Sequence, residues 1–412
     1  MSDPIHNKVV AEPAPPPSPA HVFKSGTFKG VDINDPFARA ASEQSAVTVK
    51  LGPISWPANL APTAAAMGSL AQGTKITGPL TGVAADVLIV LYTEQETQAL
   101  LDVFTGSNDW SPGRRQQWCG YAHNFEKFKP LIQGIGGDDA LEQGMFGYLS
   151  AVKVGTKNVV LYKSELHPKQ NGTKLPFVPV LQQLITELAP TLVISTGTAG
   201  AIGSHLNCGD VTITNSAQFH CKLKYPDDSQ INTMSANGTV MKNNFAVNPQ
   251  YVNYAAANFT KLSLTGLGEC YTRLQKLPGY SFVNKNSQPP AIYVTGHNPV
   301  PGPQPMVTVS ADYLTVDDTS NAEGLQSMGI VNETDDAFVF YAINQMKGRQ
   351  PNWLSVRNAS EPQITDKPFP AGTSSTKIID DLKGIAGSIF GVYQYCTTLN
   401  SAFACWGIIA GM

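Results

Sequence analysis

The 412-residue chain is poor in charge: Asp, Glu, Lys and Arg make up 14% of it, and Lys plus Arg (28) fall just short of Asp plus Glu (31), for a formal net charge of -3. It therefore has no broad basic field with which to grip a nucleic-acid backbone. Apolar runs long enough to span a membrane are also missing. The closest, SAFACWGIIAGM at the C-terminus, reads as the buried end of a helix. The N-terminal stretch MSDPIHNKVVAEPAPPPSPAHVF lacks the apolar core of a secretory signal. The cysteines (Cys119, Cys208, Cys221, Cys270, Cys396 and Cys405) form no Cys-x-x-Cys pair and no zinc spacing, and the histidines show no metal spacing either. Together these absences predict a cytoplasmic, metal-independent chain with free thiols, bound to neither membrane nor nucleic acid.

What the chain has in quantity is Gly and Pro, 36 and 30 residues, so loops are abundant. Residues 1–80 are rich in Pro, Ala and Ser with no sustained period, and read as a tail followed by an irregular arm. Residues 81–412 read as one folded unit starting near Asp86, with insertions at about 105–145 and 215–305. DVLIVLYTEQETQALLDVFTG gives a buried strand, a turn at Tyr92-Thr93 and a helix. GYLSAVKVGTKNVVLYKSEL alternates like a hairpin turning at Gly155-Thr156, and FVPVLQQLITELAP is an amphipathic helix stopped by Pro190. After the second insertion, MVTVSADYLTV resumes the sheet, ETDDAFVFYAINQMKG is a helix and NWLSVRNASEP is a strand running into a loop. A long closing helix follows, with glycines that could break it. This order is that of a mixed α/β sheet.

LVISTGTAGAIGSHLNCGDVTIT, residues 192–214, places small residues between two apolar runs. Gly197, Gly200 and Gly203 are spaced GxxGxxG, which is neither a Rossmann loop nor a P-loop, and no Lys follows. The residues alone predict a tight turn at Thr198-Ala199-Gly200 between two strands.

Four segments, taken in order, resemble the nucleoside phosphorylase/nucleosidase superfamily: VLYTEQETQAL, STGTAGAI...GDV, GIVNETDDAF and LSVRNASEP. The resemblance runs from about Asp86 to the C-terminus, leaving out the tail and residues 215–305. It implies a three-layer α/β fold, with a mixed central β-sheet flanked by helices, carrying an irregular N-terminal arm and a long insertion. It also implies cleavage of the N-glycosidic bond of a purine nucleoside or nucleotide without a cofactor, in a homo-oligomer.

Such cleavage passes through an oxocarbenium-like state, so the site has to hold the ribose, assist the leaving base and deliver a nucleophile. By the resemblance, Thr198, Ala199 and Gly200 lie beside sugar and base, and Glu333-Thr334-Asp335 stands where the family has Glu-Met-Glu, which assigns Asp335 to the ribose hydroxyls. Ser360-Glu361 stands where the family has Ser-Asp, the acid that assists the purine at N7. Glu96 matches the water-activating acid of the methylthioadenosine/S-adenosylhomocysteine nucleosidases, with Glu94 as the alternative. A carboxylate there suits a water and repels a phosphate, so hydrolysis is expected over phosphorolysis, and a non-catalytic nucleoside binder is the alternative of another class. Tyr313 is the candidate for stacking on the base, with Leu314 as the alternative and Asp312 in the same segment. Arg357 either ties the loop of Glu361 or touches ligand. Arg114 and Arg115 would suit a 5′-phosphate but more often mark a solvated loop. His123, His205 and His220 could each reach the site, and part of residues 215–305, with aromatic residues at Tyr251, Tyr254, Phe259, Tyr271, Tyr280 and Phe282, is expected to cap it.

Overall fold

The computed structural model describes residues 54–65, 70, 73–80, 82–106, 118–132, 138–166, 176–203, 205–221, 228–259, 290–297, 304–311, 324–363 and 375–412. Their strands are β1 (Thr63–Ala64), β2 (Lys75–Ile76), β3 (Val87–Leu91), β4 (Cys119–Tyr121), β5 (Gly147–Val154), β6 (Lys157–Ser164), β7 (Leu192–Ala201), β8 (Val211–Thr214), β9 (Ser216–His220), β10 (Val240–Lys242), β11 (Ile292–Val294), β12 (Thr308–Ala311), β13 (Val331–Asn332) and β14 (Asn352–Glu361). The helices are α1 (Glu94–Thr105), α2 (Phe125–Ile132), α3 (Asp138–Gln143), α4 (Phe177–Leu188), α5 (Ser229–Ala236), α6 (Pro249–Ala256), α7 (Leu325–Met328), α8 (Thr334–Asn344) and α9 (Ser375–Ala410).

All fourteen described strands join one mixed sheet, and β7 is where it branches. On one edge β7 pairs in parallel with β3, from which β6, β5, β4 and β2 continue outward. Along the other it pairs in parallel with β14, which pairs antiparallel with β8. Beyond β3, the first edge of β7 is taken up by β13, which leads to β12 and β9. Since β8 runs into β9 at Asn215, the strands β7, β14, β8, β9, β12 and β13 return on themselves.

Two apolar cores cover the two faces, as alternation along buried strands requires. Val87, Ile89, Leu192 and Ile194 face α1, α6 and the C-terminal part of α9, while Leu88, Val90 and Val193 face α4 and α8. The fold is thus three-layered, with a mixed central sheet flanked by helices. From the N-terminal arm, β1 and β2 pair with β5 and β4, and Trp56 packs on Trp406 at a ring separation of 4.7 Å.

The hairpin of β5 and β6 forms as its alternation predicts, with Gly155 at φ 59° in the turn. Other expectations are corrected. Thr198-Ala199-Gly200 is not a turn: β7 runs unbroken from Leu192 to Ala201. Small residues read locally as a turn, but β14 along one edge, and β13 from Gly200 on the other, give the extended backbone partners. NWLSVRNASEP is, as expected, a strand, β14, which ends at Glu361. The closing helix is continuous over 36 residues despite its glycines. Within residues 215–305, β9 and β11 belong to the sheet, and β4 does so within 105–145.

Candidate functional site

The site grows from a gap beside β7. On its first edge β3 pairs with residues 192–195 and β13 with Gly200 and Ala201, so residues 196–199 have no strand partner there among the described residues. A buried N–H in that gap needs another acceptor. The Glu96 carboxylate fills the role: Oε1 accepts from Thr198 N at 2.8 Å and from Thr198 Oγ1 at 3.0 Å.

Helix α1 aims Glu96 at this gap. Thr93 is its N-cap, and Thr93 and Glu96 form a reciprocal capping box. Oε2 of Glu96 accepts from Thr93 N at 3.0 Å and Tyr92 N at 3.4 Å. The carboxylate is 3% exposed and meets donors on both oxygens. It fits so closely because residue 197 is glycine: at φ 136° an added Cβ would fall on the Glu96 carboxylate and 2.9 Å from Arg357 Nη1.

Across the gap, α8 begins with Glu333 as its N-cap, whose carboxylate accepts from Asp335 N at 3.3 Å. Burial, then the Glu333 carboxylate, hold Asp335 well above the ordinary carboxylate range. Burial also raises Glu333, partly offset by Arg357, and the charges of Asp336 and Glu96 act on both acids. Tyr92 lies in the same field and is likewise pushed up, first by burial and then by Asp335.

Beneath the acids sits Arg357, 1% exposed. Nε and Nη2 donate to Asp336 Oδ1 at 3.0 and 2.7 Å, Nη2 to Ser195 Oγ at 3.0 Å and Nη1 to the Thr198 carbonyl at 3.2 Å. Burial opposes its charge, but the carboxylates of Asp336 and Glu333 more than reverse this and leave its pKa above the ordinary value. Ser355 Oγ donates to the other oxygen of Asp336 and accepts from Thr308 Oγ1, which is 2.8 Å from Thr214 Oγ1. Arg357 is thus the counter-ion of Asp336, and none of these contacts is to Glu361.

The far side of β7 carries Ser360 and Glu361. Glu361 is in register with Gly200, which on its other edge pairs with Asn332, the residue before Glu333. Two strand spacings, about 10 Å, thus separate the β-positions of Glu361 and Asn332. Ser360 Oγ donates to Glu361 Oε2 and lies 3.5 Å from the Ala199 carbonyl.

So Glu96, Thr198, Glu333 and Asp335 come together, with Ala199, Gly200, Ser360 and Glu361 along the adjoining stretch of β7 and β14. Thr334 opens α8 between the two acids. Glu94, the alternative to Glu96, starts α1. His123 is elsewhere, its Nδ1 2.5 Å from Glu187 Oε1 in a network with Tyr121. His205 packs edge-on against Tyr293 at 5.7 Å, and His220 ends β9. Arg114, Arg115, Asp312, Tyr313 and Leu314 lie outside the described residues, as do residues 260–289 of the expected cap.

Sequence reasoning missed Tyr92, Asp336 and Asn358. A signal was present: Arg357 sits inside NWLSVRNASEP, which reads as a strand of the sheet, and a charge there needs a buried partner. Among the described residues no group of three His, Cys, Asp or Glu could hold a metal, and no helix is long and apolar enough to cross a membrane.

No family model and no curated protein matches the sequence. Solved structures do. One is a 5′-methylthioadenosine/S-adenosylhomocysteine nucleosidase from Neisseria meningitidis in complex with methylthio-immucillin-A, 14% identical, covering 79% of this chain and 100% of that one with a TM-score of 0.38. Another is the futalosine hydrolase of Helicobacter pylori, 12% identical over 80% of this chain and 99% of that one, TM-score 0.41. A third is the 5′-methylthioadenosine nucleosidase of Arabidopsis thaliana in apo form, 13% identical over 75% and 93%, TM-score 0.35.

Proposed function

We propose that the protein hydrolyses the N-glycosidic bond of a purine nucleoside or nucleotide. The observation that carries this reading is the Glu96 carboxylate set against Thr198 at the gap in the sheet, with Glu333 and Asp335 in electrostatic reach. Glu96 activates the water. To accept its proton Glu96 must release a donor, and the Thr198 hydroxyl is the one that can rotate away, toward ligand. Asp335 holds the ribose hydroxyls, with Glu333 and the Thr334 backbone beside it. The raised pKa values of this acid pair favour a retained proton, so that a carboxyl can donate to a ribose oxygen as well as accept from one. Ala199 and Gly200 line the sugar, Glu361 with Ser360 assists the leaving base at N7, and Tyr313 stacks on it.

Water is favoured over phosphate by charge. Among the described residues, Glu96, Glu333, Asp335 and Asp336 face one guanidinium, and Arg357 is already committed to Asp336. A second reading, a nucleoside-binding protein without turnover, is favoured by one fact: every donor on Glu96 serves the helix cap or β7. The buried thiols of the five described cysteines suit a reducing compartment such as the cytoplasm. The copies assemble as a homo-oligomer in this reading.

Incubation with adenosine, inosine, methylthioadenosine and AMP, with and without phosphate, tests the proposal. Release of free base without phosphate is expected. Phosphate-dependent release would replace it with phosphorolysis, and binding without release would replace it with the second reading.

A further inference from the structure

We infer that Asn358 is a positioning residue for Glu96, acting through the peptide that joins Gly197 to Thr198. The inference rests on the reading of Glu96 as the group that activates water.

A trans peptide points its C=O and N–H in opposite directions, so fixing one end aims the other. At this peptide both ends are held. The Gly197 carbonyl accepts from Asn358 Nδ2 at 2.7 Å, and the Thr198 N–H donates to Glu96 Oε1 at 2.8 Å. Residue 197 is at φ 136°, where backbone is open to glycine and rarely to any other residue, so intrinsic preference does little to hold the peptide's orientation. Pairing with β14 sets the strand, and the side-chain bond from Asn358 adds a fixed partner to the Gly197 carbonyl.

Asn358 is fully buried in the middle of a strand, a position where asparagine is ordinarily unfavourable. Nδ2 also lies 3.1 Å from Ser401 Oγ and 3.5 Å from Thr398 Oγ1 on α9, which orient the amide. Oδ1 meets no donor. Turning the amide over would set Oδ1 against the Gly197 carbonyl, acceptor against acceptor, so the orientation is fixed by the bond to Gly197. An apolar residue would serve packing better, since it would leave no buried oxygen unmet. What asparagine adds is the donor that aims Thr198 N–H at Glu96.

Asn358→Ala and the nearly isosteric Asn358→Leu both remove that donor, and the second fills the space if the first packs poorly. Hydrogen exchange at the Thr198 amide, read against Ile194 earlier in the same strand, reports the clamp directly. Both variants are expected to lose protection at Thr198 at least about tenfold more than at Ile194, whether or not the protein turns over. Turnover of the purine nucleoside should fall roughly 10- to 100-fold with KM within about threefold, the signature of a misplaced reacting group rather than lost binding. Equal loss of protection at both amides, or unchanged kcat in a variant that has lost the Thr198 bond, would overturn the inference. If the wild-type protein releases no base, the reading of Glu96 fails, and the exchange experiment still decides the clamp.

Discussion

The two halves of β7 obey different rules. Leu192 to Ser195 lie between β3 and β14, and the apolar side chains of Leu192, Val193 and Ile194 feed both cores. Thr196 to Ala201 have lost β3 and are small or hydroxylated. β14 still runs along one edge, but side chains join it as partners: Glu96 on Thr198, Asn358 on Gly197, Arg357 on the Thr198 carbonyl. One strand is thus core at its start and site at its end. The difference is made by where β3 stops, because a backbone N–H released from a ladder becomes available to a functional side chain.

The sharpest way to break this comparison is Gly197→Ala. The added Cβ collides with the Glu96 carboxylate and Arg357, and φ 136° strains any L side chain. Turnover should fall by more than about 10³-fold, as expected when preorganised groups are displaced. Steady-state kinetics beside a circular-dichroism spectrum check it, and a folded variant with wild-type turnover would show that the second half of β7 is not the site.

Ile194→Ala makes the opposite test. It should cost about 2–5 kcal/mol in urea unfolding, as buried truncations do, while the folded protein keeps its kcat. A variant equally stable but inactive would reverse the assignment of the two halves.

A smaller effect sharpens the electrostatic side. Asp335 has a folded-state pKa raised above its unfolded value, so its stabilising contribution is fully present below the unfolded pKa and is lost as pH rises through the folded one. Asp335→Asn removes that loss. In thermal melts without ligand it should raise Tm by roughly a few degrees at pH 8 relative to wild type, with the gain shrinking toward pH 4. A gain that grows toward low pH would mean that Asp335 is ionised and paired in the folded protein.

The sequence carried the elements whose pattern is local. The hairpin at Gly155, helix α4 before Pro190 and the capped start of α1 follow from period and caps. Its motifs also pointed to Glu96, Thr198, Glu333 and Asp335, which the fold draws together over a long span of chain. What it could not carry depends on distant neighbours. TGTAGA reads as a turn until β14 and β13 are alongside, and β9 looks like polar loop until it pairs with β12. Asn358, an unfavourable residue for a buried strand, shows no role until its amide meets the Gly197 carbonyl.

The central claim, that Glu96 activates water for base release, is tested most directly by Glu96→Gln. Gln keeps the shape but has a single acceptor oxygen, enough for either the capping-box bond from Thr93 N or the bonds from Thr198, so a circular-dichroism spectrum beside the kinetics checks that the fold is kept. With a purine nucleoside that the wild-type protein hydrolyses, the account predicts turnover lower by about 10²–10⁴-fold with binding of that nucleoside retained. Turnover near the wild-type rate would contradict it.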